Sequence, residues 1–190
     1  MTKASPQKAN PGKTDEKPKP EPLKVLRIFR KEDAQEFNEA GHMSYADDAP
    51  VILEGITKMG DEGVAEGFKG TCLFSGFGFS LHHFWFKPGY PLPLHSHDSD
   101  CLYYIIAGDI RMGTEHMGPG DGFFLPAETP YTYYIGEKGV EILEFRTAED
   151  FNIQFKGKTE GYWEQMLEKL RSERPKWREA LPPSRDFRNV

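Results

Sequence analysis

Between Val51 and Phe155 the chain is a succession of short runs rich in Val, Ile, Phe and Tyr, each interrupted by Gly or Pro. "TCLFSGFGFSLHHFWFKPG", "CLYYIIAGDIRMG", "GDGFFLPAETPYTYYIG" and "VEILEFR" are examples. Turn signals recur at intervals of roughly ten residues, the spacing of short strands folded into a barrel or sandwich. No longer internal repeat interrupts that pattern. The expected fold class is therefore all-β.

The two ends of the chain differ in texture from this middle. Residues 1–22 are rich in Pro and Lys and nearly free of apolar bulk, so they bury too little surface to offset the entropy of ordering. They are expected to form a disordered arm, with a polyproline docking peptide as the functional alternative. Leu23–Phe29, "LKVLRIF", alternates like a strand, and "KEDAQEFNEAG" reads as a short helix closed by Gly41. Near the C-terminus Trp163, Met166, Leu167 and Leu170 fall on one helical stripe, which Pro175 breaks. The expected division is an arm at 1–22, a β-domain at 23–155 that includes the strand and short helix, and a helical tail at 156–190.

Bulk properties narrow the partners. A net charge of −6 speaks against nucleic acid or an anionic membrane, both of which favour clustered Lys and Arg. An aromatic content of 13% is enough to build a core or line a pocket, which suits a small organic ligand. Cys72 and Cys101 lie in separate apolar segments and form no disulfide framework. The N-terminal stretch has no apolar core of a secretion signal, and no apolar run spans a bilayer, so a cytoplasmic protein is expected. The phosphate-cradling, dinucleotide, serine-hydrolase and zinc-protease motifs are all missing from the sequence.

The chemistry concentrates in "GYPLPLHSH", where Gly89 and two prolines lead into His95 and His97. Residues i and i+2 of a strand project from one face, so both imidazoles point to one side and can share an ion. The next segments, "GYPLPLHSHDSDCLYYIIAGD" and "GPGDGFFLPAETPYTYYIG", resemble the paired motifs of the cupin superfamily (RmlC-like jelly rolls). Gly89, His95, His97 and Gly108 match landmarks of the first motif, and Gly120 and Pro126 match the second. The resemblance covers roughly residues 70–147. It implies a cupin double-stranded β-helix, or jelly-roll barrel, here with a disordered N-terminal arm and a C-terminal α-helix. It also implies a homodimer and an interior site for a divalent transition metal (Fe, Mn, Ni or Zn) or a small ligand.

The chain departs from that family at three positions. The motif glutamate falls on Cys101, the third histidine on Tyr131, and a late glycine on Glu128. Two of the four family ligands, His95 and His97, therefore carry over directly. Cys101 is a candidate replacement ligand, since thiolate suits zinc or iron(II), and a Tyr131 phenolate suits iron(III). Asp98 or Asp100 offers a carboxylate if the loop turns it inward, although strand parity opposes this.

Further candidates follow from parity. If Lys87 faces water, so do His83 and Trp85, while His82, Phe84 and Phe86 face inward. His82 is then a third ligand, an acid/base group or a hydrogen-bonded core histidine. Tyr131 and Tyr133 share a face. Tyr131 is a candidate catalytic acid or hydrogen-bond donor, or a plain core aromatic. Tyr103 shares its face with Cys101; with Tyr133, Phe84 and Phe124 it is expected to line the pocket. The aspartates beside Cys101 raise its pKa and disfavour a nucleophilic role. Glu144, charged among apolar neighbours, is an edge residue or an interior acid, while His116 is expected at the surface. The leading functional expectation is a metal-dependent enzyme acting on a small oxygen-bearing molecule, an oxygenase first, then a lyase or isomerase. The alternative is a metal-free, aromatic-lined binding or sensor protein.

Overall fold

The computed structural model describes residues 26–47 and 49–185. The arm expected at 1–22 lies outside these residues. In chain order the elements are β1 (Gln35–Glu36), α1 (Phe37–Ala40), β2 (Met43–Tyr45), α2 (Pro50–Asp61), β3 (Phe68–Gly76), β4 (Phe79–Phe86) and β5 (His95–Ser96). They continue with β6 (Cys101–Met112), β7 (Glu115–Met117), β8 (Gly122–Leu125), β9 (Tyr134–Arg146), β10 (Phe151–Phe155) and α3 (Glu160–Glu173).

The strands form two sheets. The larger runs β1-β3-β4-β9-β6-β7, with β8 also paired to β6; the smaller runs β2-β10-β5. All pairings are antiparallel except β10 with β2. Phe151 of β10 packs between the sheets, with ring centroids 5.6 Å from His82 and 5.5 Å from His97. The inward residues of β4, β6 and β9 alternate with exposed ones, most clearly in β6. There Cys101, Tyr103, Ile105 and Ala107 are buried while Leu102, Tyr104 and Ile106 are exposed. This is the period-2 pattern of a sheet with one face on a core.

Gly108 shows why one landmark glycine stands where it does. Its φ is +79°, and a Cβ there would sit 2.0 Å from the Gly139 carbonyl oxygen. Only a residue without a side chain permits β6 and β9 to approach so closely at their irregular pairing. Glu128, at the other family glycine position, keeps the left-handed backbone with φ +62° although it carries a side chain.

Three expectations need correction. Residues 26–30, the described part of the anticipated Leu23–Phe29 strand, have no regular structure. They gain no pairing partner, so alternation alone does not make them a strand. The short helix does close at Gly41, whose φ is +70°, but α1 covers only Phe37–Ala40. Most importantly, Pro50–Asp61 is a helix, inside the stretch expected to be β. Its β-branched residues favour strands, but Pro50 at the first turn and burial of Ile52, Gly55 and Met59 on one face prevail.

Helix α3 follows the expected stripe, with Trp163, Leu167 and Leu170 buried. Thr159 caps it by accepting the Tyr162 N–H at 3.2 Å. The helix packs on α2, where the Trp163 ring lies against Gly55, and Trp163 Nε1 donates to the Gly157 carbonyl at 2.9 Å. The Tyr162 hydroxyl accepts the Leu94 N–H at 2.7 Å, tying the helix to the chain entering β5. Trp85, expected to face water, is buried at 7% exposure. The C-terminal segment reaches its face of the sheet, where Ser184 N–H bonds Glu141, the β9 partner of Trp85.

A Cβ at position 55 would lie 2.1 Å from the Trp163 ring. Gly55→Ala should therefore cost about 1–3 kcal/mol through overpacking. Urea unfolding followed by tryptophan fluorescence measures this; an unchanged midpoint would contradict the packing of α2 on α3.

Candidate functional site

Between the sheets and under α2 and α3 lies a cavity of about 310 Å³. Its walls are mostly apolar, with Met59, Phe84, Phe86, Phe151, Ile153 and Trp163 among them. Its polar groups are few: His95, His97, Tyr131, Tyr133, Glu144 and Arg146 are the main ones.

The two histidines arrive as parity requires. β5 pairs with β10, placing His95 opposite Phe155, and His95 also exchanges backbone hydrogen bonds with Tyr131, at 3.1 and 2.8 Å. Both imidazoles are buried, with ring centroids 5.0 Å apart. Each is held by a backbone carbonyl: His95 Nδ1–H donates to Pro93 O at 2.7 Å, and His97 Nδ1–H to Asn152 O at 2.6 Å. Nδ1 therefore carries the proton in the neutral ring, and Nε2 keeps its lone pair. Burial, aided by a nearby positive charge, pushes His95 down to about 4 and His97 to about 2.

That charge is Arg146, which the sequence analysis did not single out. β9 is the central strand between β4 and β6, and its inward residues sit in two cross-strand rows. Glu144 lies opposite His82 on one side and Tyr103 on the other; Arg146 lies between Ser80 and Cys101. Arg146 Nη2 donates to Glu144 Oε2 at 2.6 Å and reaches the Tyr103 hydroxyl at 3.4 Å. Its guanidinium stands over the Phe151 ring at 4.2 Å. Burial opposes its charge, but Glu144 and the lone pair of the Tyr103 hydroxyl, both bonded to Nη2, hold it cationic. Glu144 is thus the interior acid of the two alternatives, and burial raises its pKa against the pull of Arg146.

The remaining candidates are distributed around this pair. Tyr131 and Tyr103 share a 2.5 Å hydroxyl hydrogen bond, and burial raises both phenols above their ordinary range. Tyr131, Tyr133 and Phe84 line the cavity, whereas Tyr103 lies behind Tyr131. Cys101 is 2% exposed, and burial pushes its thiol up to about 12. His82 is fully buried among Phe37, Phe84 and Phe151, with neither ring nitrogen hydrogen-bonded and its pKa lowered by burial to about 3. It does not reach the cavity wall. Phe124 is a correction: it is 58% exposed on β8, and its neighbour Phe123 turns inward to stack on Tyr103 at 4.4 Å. The pairing of β8 with β6, rather than the apolar run itself, decides which face each Phe takes.

A metal ion would need more than these residues offer. Among the described residues no three His, Cys, Asp or Glu side chains are grouped to hold one. Asp98 and Asp100 are occupied elsewhere, accepting the Asn152 and Ala127 N–H groups at 2.8 Å each. Glu144 is bound to Arg146, Cys101 holds its proton, and the guanidinium charge that depresses both histidines repels any other cation. Two neutral imidazole nitrogens beside a fixed cation do not fit a resident divalent metal.

No protein-family model matches the chain. No curated protein matches it either. Among solved structures it is similar to the polyketide cyclase RemF from Streptomyces resistomycificus, with TM-score 0.51 and 16% identity over 77% of this chain and 99% of that protein. It also matches an RmlC-like cupin from Shewanella frigidimarina NCIMB 400, with TM-score 0.40 and 19% identity over 43% and 76% of the two chains. KdgF from Halomonas sp. aligns with TM-score 0.43 and 16% identity over 66% and 97%. The chain has the cupin fold. Its cavity carries the buried Glu144–Arg146 pair and two neutral imidazoles. No helix among the described residues is long and apolar enough to cross a membrane.

The buried histidines set an acid limit. Their folded-state pKa values lie below the ordinary 6.5, so in acid the unfolded chain takes up protons that the folded chain refuses. Stability should be flat above pH 6.5 and fall below it, the loss continuing down to about pH 4 for His95, about 3 for His82 and about 2 for His97. The loss at pH 5 is about 2 kcal/mol per ring. Urea titrations at pH 8 and pH 5 test this, and His82→Phe should flatten the dependence. Equal stability at the two pH values would refute it.

Proposed function

We propose that this cupin-fold protein binds a small, largely apolar organic molecule in its cavity and does so without a resident metal. The observation that carries this reading is the protonation state of the wall. The imidazoles are pushed down to about 4 and about 2 and the Tyr131 and Tyr133 phenols up, Arg146 is permanently charged, and Glu144, whose pKa burial raises, is engaged by Arg146. General acid–base catalysis works best with a free group whose pKa lies near the working pH, and the wall group shifted in that direction, Glu144, is held on the Arg146 guanidinium. The wall offers instead an aromatic surface for the body of a ligand and two fixed Nε2 acceptors for a hydroxyl or N–H. A binding or sensor role follows, in place of the metal-dependent oxygenase expected first.

One observation favours the metalloenzyme as a second reading. Both Nδ1–H groups are pinned by carbonyls, which leaves the Nε2 lone pairs in the state that a metal ligand requires. In that reading the ion takes His95 and His97, and the ligand itself completes its coordination.

Metal analysis of protein purified without added metal separates the two. The expected result is a transition-metal content far below one per chain, with cinnamyl alcohol binding unchanged by chelator. A stoichiometric metal that disappears in His95→Ala with His97→Ala, and binding that disappears on chelation, would overturn the first reading in favour of the second.

A further inference from the structure

The Glu144–Arg146 pair is unevenly satisfied. A guanidinium has five N–H donors, and Glu144 and Tyr103 engage only its Nη2. Nε and Nη1, together three N–H bonds, have no hydrogen-bond partner among the described residues, although Arg146 is 1% exposed. Native interiors rarely leave donors of this strength unpaired, and Arg146 stands in the cavity wall, where a ligand oxygen can complete the bonding once the side chains covering Nε and Nη1 give way. The guanidinium is also held still, by Phe151 on one face and by Glu144 at Nη2. A donor fixed in advance gives up little entropy on binding.

We propose that Arg146 anchors the carboxylate of a small hydroxy acid, whose apolar body lies on Phe84, Phe86 and Phe151 and whose hydroxyl donates to the Nε2 of His95 or His97. This rests on the reading of the cavity as a ligand site and adds the chemical class of the ligand. The charge count limits the ligand to a monoanion at most: Glu144 already shares the one cation of the wall, so a carboxylate leaves one negative charge over, and a dianionic phosphate would leave two in an apolar chamber. A planar carboxylate also matches the planar donor array of a guanidinium. The imidazoles, neutral and proton-free at Nε2, accept from a hydroxyl and repel no donor. A cationic ligand is refused by the same charge that lowers both histidines.

The test uses 3-phenyllactate as probe, with its primary amide as the neutral match and cinnamyl alcohol as the uncharged control. Binding is measured by calorimetry and by the fluorescence of Trp163 on the full chain at pH 7.5. The acid should bind about tenfold or more tightly than the amide. Glu144→Gln releases the guanidinium from its internal competitor and should tighten the acid by about tenfold, leaving cinnamyl alcohol unchanged. Because Arg146→Met alone strands a buried carboxylate, it is paired with Glu144→Gln. That double variant should lose the preference for acid over amide and keep cinnamyl alcohol. Equal binding of acid and amide to the wild type, or weaker acid binding by Glu144→Gln, overturns the anchor while the cavity reading stands. Failure of all three probes to bind overturns both.

Discussion

The interior of this barrel is organised by one ion pair. Burying a carboxylate and a guanidinium costs several kcal/mol each, and an ion pair alone seldom recovers that cost. Here the 2.6 Å contact between Arg146 and Glu144 is joined by the Tyr103 hydroxyl and the Phe151 ring, so the charge is spread over partners on β9, β6 and β10. Its field reaches His82, His95, His97, Cys101 and Tyr131. Burial keeps the three histidines neutral and the cation reinforces it. Recognition by fixed donors and acceptors, the proposed role of the site, rests on these neutral imidazoles and the permanent cation.

Much of this arrangement could be read from residues. The His95–Ser96–His97 alternation places two imidazoles on one face whatever the surrounding loop does, because strand parity is local. Gly108 was legible for a similar reason, since only glycine tolerates its backbone and the approach of Gly139. The same logic applied to "VEILEFR" would have found the ion pair. Glu144 and Arg146 stand at i and i+2 in an apolar strand, opposite charges on one face, which is a pairing signal as clear as the histidines'. Neither residue occupies a motif position, so the family resemblance carries no signal for the pair.

What escaped the sequence depended on distant partners. Helix α2 contains Val51, Ile52 and Ile56, a composition that favours strands; it is helical because Trp163, more than a hundred residues away, packs on Gly55. Phe123 and Phe124 are chemically identical neighbours, and only the register of β8 on β6 sends the first inward to Tyr103 and the second to solvent. The unpaired donors of Arg146 were equally invisible, because satisfaction is a property of the assembled interior.

Two of the three motif departures read from the sequence, Cys101 and Tyr131, lie within the field of the cation. A motif glutamate at position 101 would stand directly opposite Arg146 in the β6–β9 register and would compete with Glu144 for it. Cysteine at that place is small and holds its proton, so the guanidinium keeps a single internal partner and retains donors to spare. Tyr131, where the third histidine would be, bonds Tyr103 rather than presenting a lone pair to an ion. Neither Cys101 nor Tyr131 presents a carboxylate or a free imidazole, and Cys101 leaves Glu144 as the guanidinium's carboxylate partner. In the proposed reading, the arrangement that disfavours a metal ion and the one that anchors an anion are the same, because an ion beside His95 and His97 would face the guanidinium in one apolar chamber.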